Sequence, residues 1–136
     1  MARVPDAAVC DTNALICYGF GSRRLGRAAE ALFDACDAQR GVIYVPAAVI
    51  LEFGFALAGR RSPARVRLRS FFEELFANPA YQPYDLTPEQ VYLAAEEGPN
   101  RDPFDRLICA AARRLDLPLI TCDTEIADWG RVRVVW

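Results

Sequence analysis

The sequence predicts an α/β fold in which helices cover both faces of a central, mostly parallel sheet. Short, continuous apolar runs alternate with longer segments of helical periodicity, which is the pattern of successive βαβ units. Of the 136 residues, 53% are hydrophobic and 25% are charged, which supplies a core and argues against disorder. The length is that of one ordinary domain, and no repeat or long linker interrupts it. We therefore expect a single domain spanning residues 1–136.

The first third of the chain predicts a strand, a helix and a second strand. AAVC, residues 7–10, is a short apolar run typical of a buried strand. Apolar or small residues then recur at helical spacing from Ser22, which suits an N-cap, to about Arg40. Gly41 ends this helix, and GVIYV, residues 41–45, reads as the next strand. These three elements form the first βαβ unit.

The middle of the chain predicts two helices and an edge strand. Pro46 suits the first turn of a helix that runs to about Gly59. A second helix begins near Pro63 and continues through FFEELFA to residue 77. YQPYDL, residues 81–86, reads as a short strand. Its proline places it at an edge of the sheet, because proline cannot donate to a strand ladder.

The last third predicts two more helices and two more strands. Thr87-Pro-Glu-Gln is a capping box that starts a helix ending near Gly98. Asp102-Pro-Phe-Asp opens a further helix with an apolar stripe on one side. LPLIT, residues 117–121, and VRVVW, residues 132–136, complete the set of strands.

The basic residues limit the chemistry that the chain can perform. All 16 are arginine, and the sequence contains neither lysine nor histidine. This excludes a histidine base, a lysine nucleophile and a lysine-bearing phosphate loop. The net charge of −2 indicates no particular partner. Catalysis would have to rest on carboxylates, hydroxyls, thiols, arginine or a metal.

Cysteine usage and hydropathy predict the compartment. The five cysteines are an odd number without metal-like spacing, and four lie in apolar segments, where a free thiol behaves as a small hydrophobe. No apolar run approaches the roughly 20 residues of a membrane span. The N-terminus lacks the basic-then-apolar layout of a secretion signal. We expect a reduced, cytoplasmic protein.

Two aspartates follow predicted strands in the same Cys-Asp-Thr context. Asp11 comes directly after residues 7–10, and Asp123 follows the strand LPLIT. Ligands of parallel sheets bind beyond the carboxyl ends of the strands, so two neighbouring strands would bring both carboxylates to one edge. Each aspartate also has a structural alternative. Asp11 suits the N-cap of a helix over TNALICYGF, and Asp123 suits a turn or a cap.

Glu52 is the only charged residue within VPAAVILEFGFALAG. Burying an unpaired carboxylate costs several kcal/mol, so this side chain needs a partner or a function. Small residues share its side of the predicted helix and leave room for something to approach. The alternatives are a position at the solvent edge or an ion pair with Arg24 or Arg60.

Asp102 and Asp105 are three residues apart, which places them about 60° apart around the predicted helix. Asp102 suits the N-cap, and an acid in the first turn favours the helix dipole, so both have structural explanations. Because Asp102 fits the cap so well, Asp105 is the better candidate for chemistry.

An α/β fold could gather four of these acids, namely Asp11, Glu52, Asp105 and Asp123. Two carboxylates about 5 Å apart repel by roughly 3 kcal/mol at an effective dielectric constant of about 20. A shared pocket would therefore raise their pKa values or hold a cation. Carboxylate oxygens favour Mg²⁺ or Mn²⁺, and such a metal activates water and neutralises phosphate charge. This chemistry suits phosphodiester hydrolysis without histidine or lysine.

Four segments in order, DTNAL, the lone glutamate, DPFDRLICAAA and LITCD, resemble the PIN domain. They look in particular like the VapC-type ribonuclease toxins of toxin–antitoxin pairs. The resemblance covers nearly the whole chain and implies an α/β/α sandwich with a central parallel sheet and metal-dependent endonucleolytic cleavage of RNA. The acids to which it assigns metal binding and catalysis are Asp11, Glu52, Asp105 and Asp123. Supporting positions that it assigns are Asn13 at the metal-bound water, Thr121 beside the last acid and Asp102 as an auxiliary.

Two segments depart from the family pattern. The residues before Asp102 are PNR, where many relatives have a histidine. The last motif reads TCDTEI instead of Thr-Arg-Asp with an aromatic a few residues later, which removes a basic side chain near the site.

The resemblance also implies partners, namely a second copy of the chain in a homodimer and a small antitoxin that holds it inactive. The FFEELF stretch and the helix from Ser22 to Arg40 offer contact surfaces for them, unless they are ordinary core. Arg61, Arg65 and Arg69 recur at four-residue spacing and would line one helix face that contacts RNA phosphates. The alternatives for that face are simple solvation or pairing of Arg69 with Glu73.

Two other functions compete with a nuclease. A haloacid-dehalogenase-like phosphatase would use Asp11 as its nucleophile, but it wants a second aspartate where Asn13 stands and a downstream lysine. A PIN-like fold could instead serve as a non-enzymatic binding module. Such a protein should have lost acids of the quartet, and all four are present.

Overall fold

A computed structural model describes residues 5–59 and 64–136, without the side chains of residues 64–66. The described residues form five strands and seven helices. The strands are β1 (Ala7–Cys10), β2 (Val42–Pro46), β3 (Tyr81–Tyr84), β4 (Leu119–Ile120) and β5 (Val134–Val135). The helices are α1 (Thr12–Gly19), α2 (Arg27–Asp37), α3 (Ala47–Ala58), α4 (Ala64–Ala77), α5 (Pro88–Glu96), α6 (Pro103–Leu115) and α7 (Thr124–Trp129).

All strands are parallel and lie in the order β3-β2-β1-β4-β5, which confirms the predicted fold class. Strand β1 is central, and its last three residues are fully buried because helices cover both faces of the sheet. Its neighbour β4 pairs with it in the register Val9–Leu119 and Cys10–Ile120. The backbone N–H of Asp11 continues the ladder by donating to the Ile120 carbonyl at 3.1 Å. The chain segments that follow β1 and β4 therefore leave the sheet side by side.

Phe53 fixes helix α3 within this framework. Its side chain is completely buried, and its ring centroid lies 4.8 Å from that of Phe71 and 5.3 Å from that of Phe72. Both partners belong to α4, so aromatic packing holds α3 against α4. The orientation of α3 then decides where the neighbouring Glu52 lies.

Helix α2 starts later than predicted, which makes the expected N-cap at Ser22 wrong. The Ser22 hydroxyl accepts from the N–H of Arg24 at 3.2 Å and closes a turn instead. The helix begins at Arg27 after Gly26, and its first N–H groups are satisfied from the far end of the sheet. The Trp136 carbonyl accepts from Ala28 and Ala29 at 3.0 and 3.2 Å. A long-range acceptor thus replaces the local cap that the sequence suggested.

Other boundaries differ by smaller amounts. Pro46 is the last residue of β2 and the N-cap of α3 rather than a first-turn residue, with an extended backbone at φ −60° and ψ 146°. Thr87 caps α5 as predicted, but the Gln90 side chain donates to the Asp85 carbonyl at 2.7 Å instead of completing a reciprocal capping box. Helix α7 was not predicted. Strand β3 lies at the edge of the sheet, as its proline requires.

All five cysteines are free thiols, and Cys10, Cys36 and Cys109 are buried. Among the described residues, no helix combines the length and apolar character that crossing a bilayer requires.

Candidate active site

The four predicted acids lie at the edge of the sheet where β1 and β4 end. Asp11 directly follows β1 and is the N-cap of α1, and Asp123 follows β4 and is the N-cap of α7. Asp105 lies in the first turn of α6, and Glu52 lies in the middle of α3. Four different helices therefore present one carboxylate each.

Asp11 is the most deeply buried of these acids, with 7% of its surface exposed. One carboxylate oxygen accepts from the N–H of Ala14 at 2.7 Å, so the predicted capping role is real and coexists with a position in the site. Burial is the main reason that its pKa rises from 3.8 to about 6, and the charges of Asp105 and Glu52 add to the rise. The Thr121 hydroxyl opposes this shift by hydrogen bonding to the carboxylate.

Glu52 is half-buried and accepts a short hydrogen bond from the Thr12 hydroxyl. Burial raises its pKa, and the charges of Asp102 and Asp105 raise it further. No ion pair joins it to Arg24 among the described residues, and Arg60 lies outside them. The unusual carboxylate in the apolar helix therefore faces other carboxylates, and a neutral hydroxyl holds it.

Asp105 is half-buried, and burial raises its pKa. The charges of Asp102, Asp123 and Glu125 act in the same direction, whereas a hydrogen bond from Asn100 acts against it. Asp102 itself is exposed and caps α6, since its Oδ1 accepts from the N–H groups of Phe104 and Asp105 at 2.8 and 3.3 Å. The structural role anticipated for Asp102 is confirmed.

Thr121 connects the two aspartates that follow the strands. Its side chain is buried, and its hydroxyl oxygen accepts from the N–H of Asp123 at 3.1 Å while hydrogen bonding to Asp11. Asp123 in turn accepts from the N–H of Glu125 at 2.8 Å, at the start of α7. One buried hydroxyl thus holds the ends of β1 and β4 in a common arrangement.

The pKa of the Cys109 thiol responds to several of the acids at once. This thiol is buried on α6, and burial together with the charges of Asp105, Asp11 and Asp123 raises its pKa to about 12. Three of the four predicted acids therefore act on a single buried atom. Such crowding of like charges favours either proton uptake or a bound cation.

The donor set fits a hard divalent cation by its chemistry, although the side chains are not preorganised around one. Carboxylate oxygens are the ligands that Mg²⁺ and Mn²⁺ prefer, and a cation would remove the mutual repulsion of the acids. Within the described part of the chain, however, no three acids or cysteines stand close enough to ligate one ion together. Each carboxylate is instead engaged by its own donor: Ala14, Thr12, Asn100 or Glu125. Ligation by three acids would require side chains to approach Asp105, whose Oδ2 alone is engaged by Asn100.

The structure also includes site residues that the sequence analysis did not identify. Thr12 and Asn100 hold acids through hydrogen bonds, and Glu125 adds a further negative charge. Of these three residues, only Thr12 could have been recognised in the sequence, because its hydroxyl group directly follows a candidate acid. The predicted supporting residue Asn13 is exposed in the first turn of α1.

Of the predicted RNA-binding arginines, only Arg69 has a described side chain. Arg61 and the side chain of Arg65 lie outside the described residues. Arg69 is exposed on α4, beside Glu73, and these two described side chains form no ion pair. Their role in RNA binding stays a prediction.

The two predicted contact surfaces are largely core. In FFEELF, Phe72 and Leu75 are buried, and the apolar side of α2 is buried through Leu32 and Phe33. Exposed apolar side chains lie elsewhere on the described surface. The most exposed of the large ones are Phe55, Tyr92, Phe20 and Leu51.

The family model described as the PIN domain matches residues 8–132. No curated protein matches the chain.

Solved structures resemble the fold over nearly its whole length. VapBC2 from Rickettsia felis, bound to a DNA fragment from its promoter, matches with a TM-score of 0.69 and 12% identity over 95% of this chain and 97% of that one. A toxin–antitoxin complex from Klebsiella pneumoniae matches with a TM-score of 0.62 and 22% identity over 95% and 96%. The Mycobacterium tuberculosis toxin VapC20, which cleaves the sarcin–ricin loop, matches with a TM-score of 0.65 and 17% identity over 93% and 98%. At these identities the likeness concerns the fold.

Proposed function

We propose, from the premise that this chain belongs to the PIN domain family, that it is a metal-dependent endoribonuclease that hydrolyses RNA phosphodiester bonds. PIN domains are metal-dependent nucleases. The observation that carries the proposal is the set of four carboxylates on four helices at the carboxyl edge of the sheet, three of which have raised pKa values. The family match leaves the phosphatase alternative without support.

In this proposal Asp11, Glu52, Asp105 and Asp123 hold Mg²⁺ or Mn²⁺. A divalent cation bound there supplies Lewis-acid activation of water and neutralises the charge on a phosphate. Thr121 orients Asp11 and Asp123 through its hydroxyl, and Thr12 orients Glu52. Asp102 supports the site by capping α6, and Asn13, which is exposed in the first turn of α1, contacts metal-bound water in this proposal.

The solved structures suggest the biological setting. Several resembling chains belong to toxin–antitoxin complexes, and one is a toxin that cleaves an RNA loop. We extend this setting to the present chain: a cytoplasmic toxin and homodimer, inhibited by a small antitoxin, with RNA phosphates contacted by Arg61, Arg65 and Arg69. The non-enzymatic binding module is the competing outcome.

The decisive experiment is cleavage of a pool of structured RNAs by the purified, antitoxin-free protein in Mg²⁺, Mn²⁺ or EDTA. Asp11→Asn is the test variant. Asp116→Asn is a matched control, because Asp116 is fully exposed and has a left-handed backbone at φ 52°, which asparagine tolerates. We expect metal-dependent cutting that is lost in Asp11→Asn and kept in Asp116→Asn. Absence of both cutting and Mn²⁺ binding in the unaltered protein would favour the binding module.

A further inference from the structure

A neutral side chain outside the acidic set holds Asp105. The Asn100 amide donates from Nδ2 to Asp105 Oδ2 at 2.9 Å, and its Oδ1 accepts from the backbone N–H of Asp102 at 2.9 Å. The backbone donor settles the orientation of the amide, because only its oxygen can face an N–H group. The NH₂ group must then face the carboxylate. Asn100 therefore spans two fixed points, and one of them is a proposed metal ligand.

Arg106 fixes the segment that carries Asn100. Its guanidinium donates to the Asn100 carbonyl at 2.8 Å and to the carbonyls of Ala94 and Ala95 at 2.6 and 3.3 Å. The last two carbonyls belong to the final turn of α5, where helical carbonyls lack partners within the helix. Gly98 makes room for this arrangement, since a Cβ there would lie 2.5 Å from Arg106 Cγ. One arginine thus joins the end of α5, the following segment and α6.

The charged group of Arg106 does not pair with the neighbouring Asp105. Arg106 is next to Asp105 in sequence, yet its guanidinium binds carbonyl groups and forms no ion pair among the described residues. The group that touches the carboxylate is the uncharged amide of Asn100. A guanidinium in that place would neutralise Asp105 and compete with a cation. The neutral amide orients the carboxylate and preserves its charge.

We propose that Asn100, fixed by Arg106, is a positioning residue that engages one oxygen of Asp105 and leaves the other, Oδ1, to ligate a divalent cation. The inference rests on the proposed metal-dependent function. Residues that orient metal ligands typically contribute about 10–100-fold to metal affinity. Asn100 acts through Asp105 and has no need to touch metal or RNA.

Asn100→Ser separates positioning from loop structure. A serine hydroxyl can still accept from the N–H two residues later, as Ser22 does from Arg24 at 3.2 Å and Thr121 does from Asp123 at 3.1 Å in this same chain. It is too short to reach Asp105. The variant thus keeps the turn and deletes the amide donor.

Asn78→Ser is the matched control. Asn78 also spans two points, accepting from the N–H of Ala80 two residues later at 3.0 Å and donating to the Cys36 carbonyl at 3.1 Å. Its amide faces a carbonyl instead of a carboxylate. The same substitution there removes an equivalent hydrogen bond without touching an acid.

The experiment measures Mn²⁺ binding by the full chain, using titration calorimetry or the electron paramagnetic resonance signal of free Mn²⁺. Thermal melting verifies that each variant is folded. We expect about 10-fold or more weaker binding by Asn100→Ser and unchanged binding by Asn78→Ser. Arg106→Lys, which loses the three-carbonyl contact, should also bind more weakly. If Asn100→Ser binds Mn²⁺ as tightly as the unaltered protein, the positioning role of Asn100 is refuted but the proposed function is not. The same holds if both serine variants weaken Mn²⁺ binding equally. Failure of the unaltered protein to bind Mn²⁺ would refute the proposed function and this inference together.

Discussion

Asp11→Asn should stabilise the metal-free protein at neutral pH while it removes activity. In the folded state the pKa of Asp11 is raised from 3.8 to about 6, so keeping the group ionised costs folding free energy at any pH above both values. At about 1.4 kcal/mol for each pKa unit, the cost is roughly 3 kcal/mol at pH 7.5. Asparagine carries no charge and still accepts from the N–H of Ala14, which Asp11 binds at 2.7 Å. Part of the gain is lost with the charge-assisted hydrogen bonds, which leaves about 1–3 kcal/mol.

The sign of this effect determines its pH dependence. Between pH 6 and 4 the folded protein binds a proton at Asp11 that the unfolded chain does not, so stability rises as pH falls. The difference in unfolding free energy between the variant and the unaltered protein should therefore shrink to about half between pH 7.5 and pH 5.

Thermal or urea denaturation in EDTA at both pH values measures this difference, and Asp116→Asn is the control because it removes a carboxylate that is fully exposed. Two results would refute the claim that burial and like charges make ionised Asp11 destabilising. One is a variant that is no more stable than the unaltered protein at pH 7.5, and the other is a stability difference that does not change with pH.

Three further substitutions test the site and its framework. Glu52→Gln should abolish RNA cleavage without loss of thermal stability, because a neutral amide replaces a half-buried carboxylate of raised pKa; retained cleavage would remove Glu52 from the site. Phe53→Ala should lower the unfolding free energy by about 3–5 kcal/mol in urea denaturation, since a completely buried ring is lost, and a change below about 1 kcal/mol would contradict the packing of α3 on α4. Gly26→Ala should cost about 1–3 kcal/mol in the same assay, because its Cβ would lie 2.3 Å from the Trp136 carbonyl; a neutral effect would contradict that close approach.

Local patterns predicted most of the fold. The strand at residues 7–10 and the edge position of the YQPY strand follow from burial on both faces and from the missing proline donor, and both are confirmed. The start of α2 could not be predicted, because its first N–H groups bind the carbonyl of Trp136 from the opposite end of the chain. Helix α7 is only six residues long, and so short a segment gives no clear periodicity.

The candidate site, like the fold, could be predicted from the sequence only in part. The positions of Asp11 and Asp123 could be inferred, because strands in a parallel sheet end at a common edge and an acid after each strand must lie there. Glu52 could be singled out as the one charge in an apolar helix. Its contact with Thr12 joins residues far apart in sequence, and the turn of Asn100 toward Asp105 depends on where Arg106 binds. Those contacts are properties of the assembled tertiary structure.

The strand order has a consequence for synthesis on the ribosome. Strand β1 precedes the other four described strands in the chain and lies in the centre of the sheet, but its neighbour β4 is made only after β2 and β3. Asp11 therefore emerges long before Asp105 and Asp123 exist to share its edge. A nascent chain that has not yet reached Asp123 holds at most three of the four acids and cannot assemble the set. The proposed site can therefore assemble only after the segment between β4 and α7 has been made.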